Sequence, residues 1–191
     1  LRAAITFANN SPENDTINFD PAYIGAGQEL ALFTFVQLTI ANNGTLTING
    51  PGAKLYSING VNLVRVFNVS AGATATISGM TIRNGFTNGG EGGGIRNAGN
   101  LTVNSCEIKF NTGSGSDPFR FGGGGGIWNV GNLNLINSTV YGNTAIKSTQ
   151  NNSSPVGGGI LNYSGGTANI INSTISGNKA TDESGGSGGG I

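Results

Sequence analysis

The chain has 191 residues, enough for one domain with a substantial core. Nine Lys and Arg balance nine Asp and Glu, only 9% of residues are charged, and no basic block occurs, which argues against nucleic acid or an anionic membrane as the main partner. Histidine is absent, the single cysteine, Cys106, permits neither an internal disulfide nor a thiolate metal cage, and the longest apolar stretch, "LALFTFV" at 30–36, is too short to cross a bilayer.

In chain order, "LRAAITFANN" at 1–10 places Leu1, Ala4, Ile5 and Ala8 on one helical face, a short helix suited to capping a first coil. "DTINF" at 15–19 and "ELALFTFVQLTI" at 29–40 read as strands. Leu46 and Ile48, then Ile77, Met80 and Ile82, introduce in irregular form a pattern that becomes strict from residue 86. There the tetrad Gly-Gly-Gly-Ile ends at Ile95, Ile127, Ile160 and Ile191, at spacings of 32, 33 and 31 residues. An Ile-x-x-Asn or Val-x-x-Asn element follows each of the first three, at 108–111, 140–143 and 175–178. The separation from tetrad isoleucine to asparagine is 16, 16 and 18 residues, the extra two falling in "YSGGT" at 163–167. A glycine-rich chain without order would not keep such internal spacing.

Aligned on these landmarks, like falls on like. Leu101 meets Leu133 and Ala168; Val103 meets Leu135 and Ile170; Cys106 meets Ser138 and Ser173. Ile108, Val140 and Ile175 align next, then Asn111, Asn143 and Asn178. Leu101-x-Val103 and Leu133-x-Leu135 alternate apolar and polar, the period of a half-buried strand, and the three-residue step to Cys106 or Ser138 marks a bend. A period of 20–50 residues indicates a solenoid, propeller or array; a propeller blade needs roughly 40 residues or more, which favours the solenoid. The expected fold is all-β: a single-stranded parallel β-helix with a short N-terminal helical cap. One domain spans 1–191, with cap and first strand at 1–22, irregular early coils at 23–85 and regular coils of about 32 residues at 86–191. Aliphatic ladders should fill the interior, glycines should turn the corner before each isoleucine, and stacked asparagines should bond along the axis. "NTGSGSDPFRFGGGG" at 111–125 and "TDESGGSGGG" at 181–190 should bulge out between coils.

The tetrads and the x-x-Asn elements resemble the repeats of polymorphic outer membrane proteins, with Ile or Val standing where that family carries Phe. The opening Leu1-Arg2-Ala3-Ala4, with "DTINF", resembles the start of CSLREA-type domains of secreted bacterial β-helix proteins, with Ala3 where Glu is usual. Both resemblances imply a right-handed β-helix, bacterial, exported to the cell surface or medium, acting in adhesion or surface structure.

Polysaccharide lyases and hydrolases on β-helices need clustered carboxylates, often with Ca²⁺. No two acidic residues here fall beside one another at coil-equivalent positions, Glu91 and Glu107 lie at different corners of one coil, and Asp182-Glu183 reads as a solvated pair. The expectation is therefore a non-enzymatic chain without cofactor, catalytic or metal residues. A carbohydrate-binding or carbohydrate-active β-helix is the alternative. Three outward rows are candidate surfaces: Arg96, Trp128 and Leu161, a surface-contact candidate; Arg83, Lys109, Tyr141 and Ser176; and Thr47, Thr76, Thr102, Asn134 and Asn169, whose threonines raise ice binding as a third reading. Expected partners are surface glycans or proteins, and further copies of the chain. The last tetrad opens a coil that residue 191 leaves unfinished, so either more sequence lies beyond it or the edge pairs head to tail with another copy, extending into a filament. No signal or anchor is visible, and sequence upstream of the abrupt start is expected.

Overall fold

The computed structural model describes residues 1–41, 43–115, 122–147, 154–181 and 188–191. The chain is a parallel β-solenoid of about five turns with one short helix at its start. Every strand pairing among the described residues is parallel, and each coil contributes one strand to each of three faces, except the last, which has strands on the first two. The first face stacks Asp15–Asn18, Thr45–Asn49, Thr74–Ser78, Asn100–Asn104, Asn132–Ile136 and Thr167–Ile171. The second stacks Gln28–Ala31, Tyr56–Asn59, Thr81–Arg83, Glu107–Lys109, Thr139–Tyr141 and Thr174–Ser176. The third stacks Leu38–Ile40, Phe67–Val69, Ile95–Asn97, Ile127–Asn129 and Ile160–Asn162. From residue 112 the coils gain a three-stranded side sheet: Thr112–Ser114, Thr144–Ile146 and Lys179–Thr181.

The register makes side-chain columns. Ile17, Ile48, Ile77, Val103, Leu135 and Ile170 succeed one another inside the first face. Leu30, Ile58, Ile82, Ile108, Val140 and Ile175 do so inside the second, and Leu38, Phe67, Ile95, Ile127 and Ile160 inside the third. Most members are 0–1% exposed; Ile170 and Ile175, on the last strands of their sheets, are half-buried, and Ala168 is exposed. Each fully buried Ile or Leu contributes about 1.5–3 kcal/mol of apolar transfer.

The three corners are held by polar ladders. Leaving the second face, the Oδ1 atoms of Asn111, Asn143 and Asn178 accept the backbone N–H of Gly85, Asn111 and Asn143, at 2.8, 3.0 and 2.9 Å. Their amides donate to Ile82, Ile108 and Val140 carbonyls at 3.1, 2.9 and 3.0 Å. Between first and second faces, Cys106 N–H donates to Ser138 Oγ and Ser138 N–H to Ser173 Oγ, each at 3.1 Å. Between third and first faces a ladder that the repeat alignment did not single out links Asn97, Asn129 and Asn162, at 2.7 and 2.6 Å. Corner backbone groups buried in a solenoid have no water to bond, and these side chains supply the partners.

The tetrad uses its glycines in two ways. The first, as at Gly124, has φ +62°, a left-handed conformation. The second, Gly125, packs so closely that a Cβ would sit 2.4 Å from Thr144 O and 2.5 Å from Gly158 O. The fourth tetrad stacks on the third: Gly158, Gly159 and Ile160 N–H donate to Gly188, Gly189 and Gly190 carbonyls at 3.0, 2.9 and 2.9 Å.

Two local expectations are corrected. The apolar run 29–40 is not one strand but two, Gln28–Ala31 and Leu38–Ile40, separated by a corner where Phe33 and Phe35 are exposed. The helix, Arg2–Asn10, buries Ile5 and Ala8 and packs Leu1 on the core, but Ala4 is exposed. The helix also guards the free edge of the third face. Asn9 donates to Thr39 O at 2.8 Å and accepts Ala41 N–H at 2.9 Å, while Arg2 donates to Val36 and Gln37 carbonyls at 2.6 and 3.0 Å. An edge strand so occupied cannot offer those groups to another chain. Of the segment 111–125 predicted to bulge, the described residues form the strands Thr112–Ser114 and Gly122–Gly123, and 116–121 lie outside them; of 181–190, residues 182–187, with Asp182 and Glu183, lie outside the described residues.

Candidate functional site: a charged groove on the second face

Most coils pass from first to second face in two residues, at 79–80, 105–106, 137–138 and 172–173. The first two coils instead insert longer segments, 19–27 and 50–55. Departures from a repeat are where function is grafted onto a solenoid. The second insertion is tied down by Thr81 Oγ1, which donates to Ala53 O at 2.7 Å, and by Gly52 N–H, which donates to Gly79 O at 2.8 Å. Between this overhang and the outer side of the second face lies a groove of about 340 Å³, whose walls include Lys54, Tyr56, Thr81, Arg83, Glu107 and Lys109.

The register explains its charges. Glu29, Ser57, Thr81 and Glu107 form one outward column; Asn59, Arg83 and Lys109 form the next. Glu29 and Glu107 therefore do occupy coil-equivalent positions, a relation not anticipated from the sequence, with two residues between them. Each carboxylate is paired. Glu29 accepts from the Arg83 guanidinium, from Asn59 Nδ2 at 3.0 Å and from Ser57 Oγ at 3.3 Å. Burial pushes the Glu29 carboxyl up, but the bonds from Asn59, Arg83 and Ser57 and the Arg83 charge outweigh it and hold it below the usual range. Glu107 accepts from Lys109 Nζ at 2.7 Å, and that ammonium lies 5.6 Å from the Tyr141 ring centre. Burial pulls Lys109 down; Glu107 and Tyr141 reverse this and leave it above its ordinary value. Three strand steps of about 4.8 Å put the two glutamates roughly 14 Å apart, beyond the 5–9.5 Å span of paired glycosidase carboxylates. Among the described residues no three His, Cys, Asp or Glu side chains gather as a metal site.

The row Arg96, Trp128 and Leu161 is continuous in register on the third face, with the Arg96 guanidinium 4.9 Å from the Trp128 ring centre. Tyr163 stacks on the same indole, with ring centres 6.5 Å apart and planes at 23°. Trp128 is consequently only 8% exposed. Beside it, burial pushes Arg65 down to about 10, with Arg96 adding to the effect and Glu91 opposing it; Arg65 remains charged at neutral pH and clamps the tetrad turn through Gly92 O at 2.9 Å. On the first face Thr16 joins Thr47, Thr76, Thr102, Asn134 and Asn169 in a row, flanked by side chains bonded along the axis, such as Asn132 to Asn100 at 2.7 Å. Exposed aromatics are concentrated early in the chain: Phe7, Tyr23, Phe33 and Phe35.

No helix among the described residues is long and apolar enough to cross a membrane. Compared with known proteins, the chain matches no protein-family model, no curated protein and no solved structure.

Proposed function

We propose that the chain is a non-enzymatic, exported element of the cell surface or extracellular medium, adhesive or structural in role. The observation that carries this reading is the pairing of function-bearing side chains on a rigid stack. The groove's Arg83 is neutralised by Glu29 beside it and its Glu107 by Lys109, so ordered charge is available for recognition while no free acid and base stand at catalytic separation in the groove. Interior columns and corner ladders hold the outer faces in fixed register, as a presentation surface requires. The resemblance of the tetrads and x-x-Asn elements to polymorphic outer membrane protein repeats, and of the start to CSLREA-type domains, supports export. The role needs no cofactor. Self-stacking into a filament would use edges other than the third face's first one, which the helix already occupies.

The alternative, a carbohydrate-active β-helix, draws on the same groove. Ice binding draws on the threonine row, but asparagines replace threonine on its last two strands. Retention of purified protein on whole cells and on a glycan array, run beside a polysaccharide-cleavage screen, separates the three. Saturable retention without cleavage supports adhesion; depolymerisation by contaminant-free protein overturns it in favour of the enzyme. Inhibition of ice recrystallisation with no surface retention overturns it in favour of ice binding.

A further inference from the structure

We propose that the groove on the second face binds an anionic saccharide unit, one carrying a carboxylate or a sulfate, and that Lys54 is the residue that selects for the negative charge. The inference rests on the adhesive reading and names the chemistry of what is recognised.

The groove is built by an exception to the repeat, since segment 50–55 lengthens a corner that later coils turn in two residues. Its bonds from Thr81 and to Gly79 fix it over the sheet. At about 340 Å³ it has the capacity of a small-ligand cleft, yet its walls are mainly polar, which suits a hydrated, hydroxyl-rich ligand. On the floor, Ser57 Oγ, whose proton points to Glu29 at 3.3 Å, keeps acceptor capacity for a sugar hydroxyl, while Thr81 Oγ1 is buried and holds the overhang. Tyr56 also lines the groove, its ring packed against the core and against Phe19 at 4.7 Å between ring centres, which fixes this wall in place. Burial raises the Tyr56 phenol, so its hydroxyl stays a donor at neutral pH.

Charge then decides the ligand class. Arg83 and Lys109 are offset by Glu29 and Glu107. Lys54 is exposed on the overhanging segment and forms no ion pair among the described residues, so the groove keeps one net positive charge. A single cation among neutral hydrogen-bonding groups fits a sugar with one acidic substituent. It is too little for a nucleic-acid backbone, which needs several phosphate contacts.

The test is calorimetric titration with two matched pairs: an oligouronide against its carboxyl-reduced form, and a sulfated oligosaccharide against its desulfated form. At least one anionic member should bind with an affinity that falls as salt rises, and roughly tenfold tighter than its neutral counterpart. Which pair responds distinguishes carboxylate from sulfate. Lys54→Gln should weaken that binding roughly tenfold and Lys54→Glu should abolish it, while Lys179→Gln, on the side sheet, leaves it unchanged. Both Lys54 variants should melt with the parent, since the side chain is exposed. Equal affinity for charged and neutral members, unaltered binding by Lys54→Glu, or no binding to any of the four would overturn the proposal. Retention on cells, measured separately, then reports whether adhesion survives through another face.

Discussion

Asn143 is the sharpest test of the corner ladders. Its side chain is fully buried. Its Oδ1 accepts Asn111 N–H at 3.0 Å and Asn111 Nδ2 at 2.9 Å. Its Nδ2 donates to Ile108 O, Tyr141 O and Asn178 Oδ1 at 2.9, 3.1 and 2.9 Å. Asn143→Ala strands the Asn111 backbone N–H away from water; Asn111 Nδ2 keeps a bond to Ile82 O at 3.1 Å. One stranded donor costs about 1–3 kcal/mol, and weakened carbonyl satisfaction adds to it, so a loss of about 2–4 kcal/mol is expected. For a chain of this size that lowers the melting temperature by about 5–12 °C. Urea denaturation and thermal melting followed by circular dichroism measure it. Asn169→Ala is the control, because Asn169 is exposed in extended strand backbone and its side chain donates to Asn134 Oδ1 at 3.4 Å; it should cost no more than about 0.5 kcal/mol. A parent-like Asn143→Ala, or an Asn169→Ala variant equally destabilised, would refute the assignment of stability to the buried ladder.

Gly125→Ala drives a methyl against the backbone oxygens of Thr144 and Gly158, neither of which can rotate aside, and should yield insoluble or unfolded protein. Gly165→Ala meets no atom within 4 Å and should cost only about 1–2 kcal/mol for its φ of +81°, a contrast read by solubility and melting. Burial, partly offset by backbone hydrogen bonds, pushes the Cys106 thiol up to about 11; it should resist a thiol reagent at pH 8 when folded and react fully in denaturant. Glu29 is held below the ordinary glutamate value of 4.5, so its contribution is present above that pH and disappears as pH falls through the lowered pKa. The melting-temperature gap between parent and Glu29→Gln should accordingly close on acidification below 4.5; a gap that widens would reverse the sign of the interaction.

What was legible in the sequence was whatever repeated. The tetrads, the x-x-Asn elements and the aliphatic alternation each recur because one coil must lie on the next, and a parallel stack converts that into equal spacing. The Asn97, Asn129 and Asn162 ladder carried the same signal, an asparagine two residues after each tetrad isoleucine, but a single letter stands out poorly in an asparagine-rich chain. The early coils were harder to see. Along the first face Ile17, Ile48, Ile77, Val103, Leu135 and Ile170 succeed one another at 31, 29, 26, 32 and 35 residues, because insertions sit at different corners. Of the groove, only the Arg83 and Lys109 row was legible. Glu29 and Arg83 meet across 54 residues, and the overhang above the groove is defined by not repeating. The Arg96–Trp128 contact was legible in the row the two share; the second cover of the indole, Tyr163, follows the strand Ile160–Asn162 at a position that alternation does not encode.

The most direct test of the account is to hold the purified chain with the saccharide it binds best and track binding and chemistry together, by calorimetry and by assay for new chain ends. Saturable binding with the polymer's length unchanged after prolonged incubation is predicted. Accumulation of new ends, abolished by Glu29→Gln or Glu107→Gln, would contradict it and make the groove an active site.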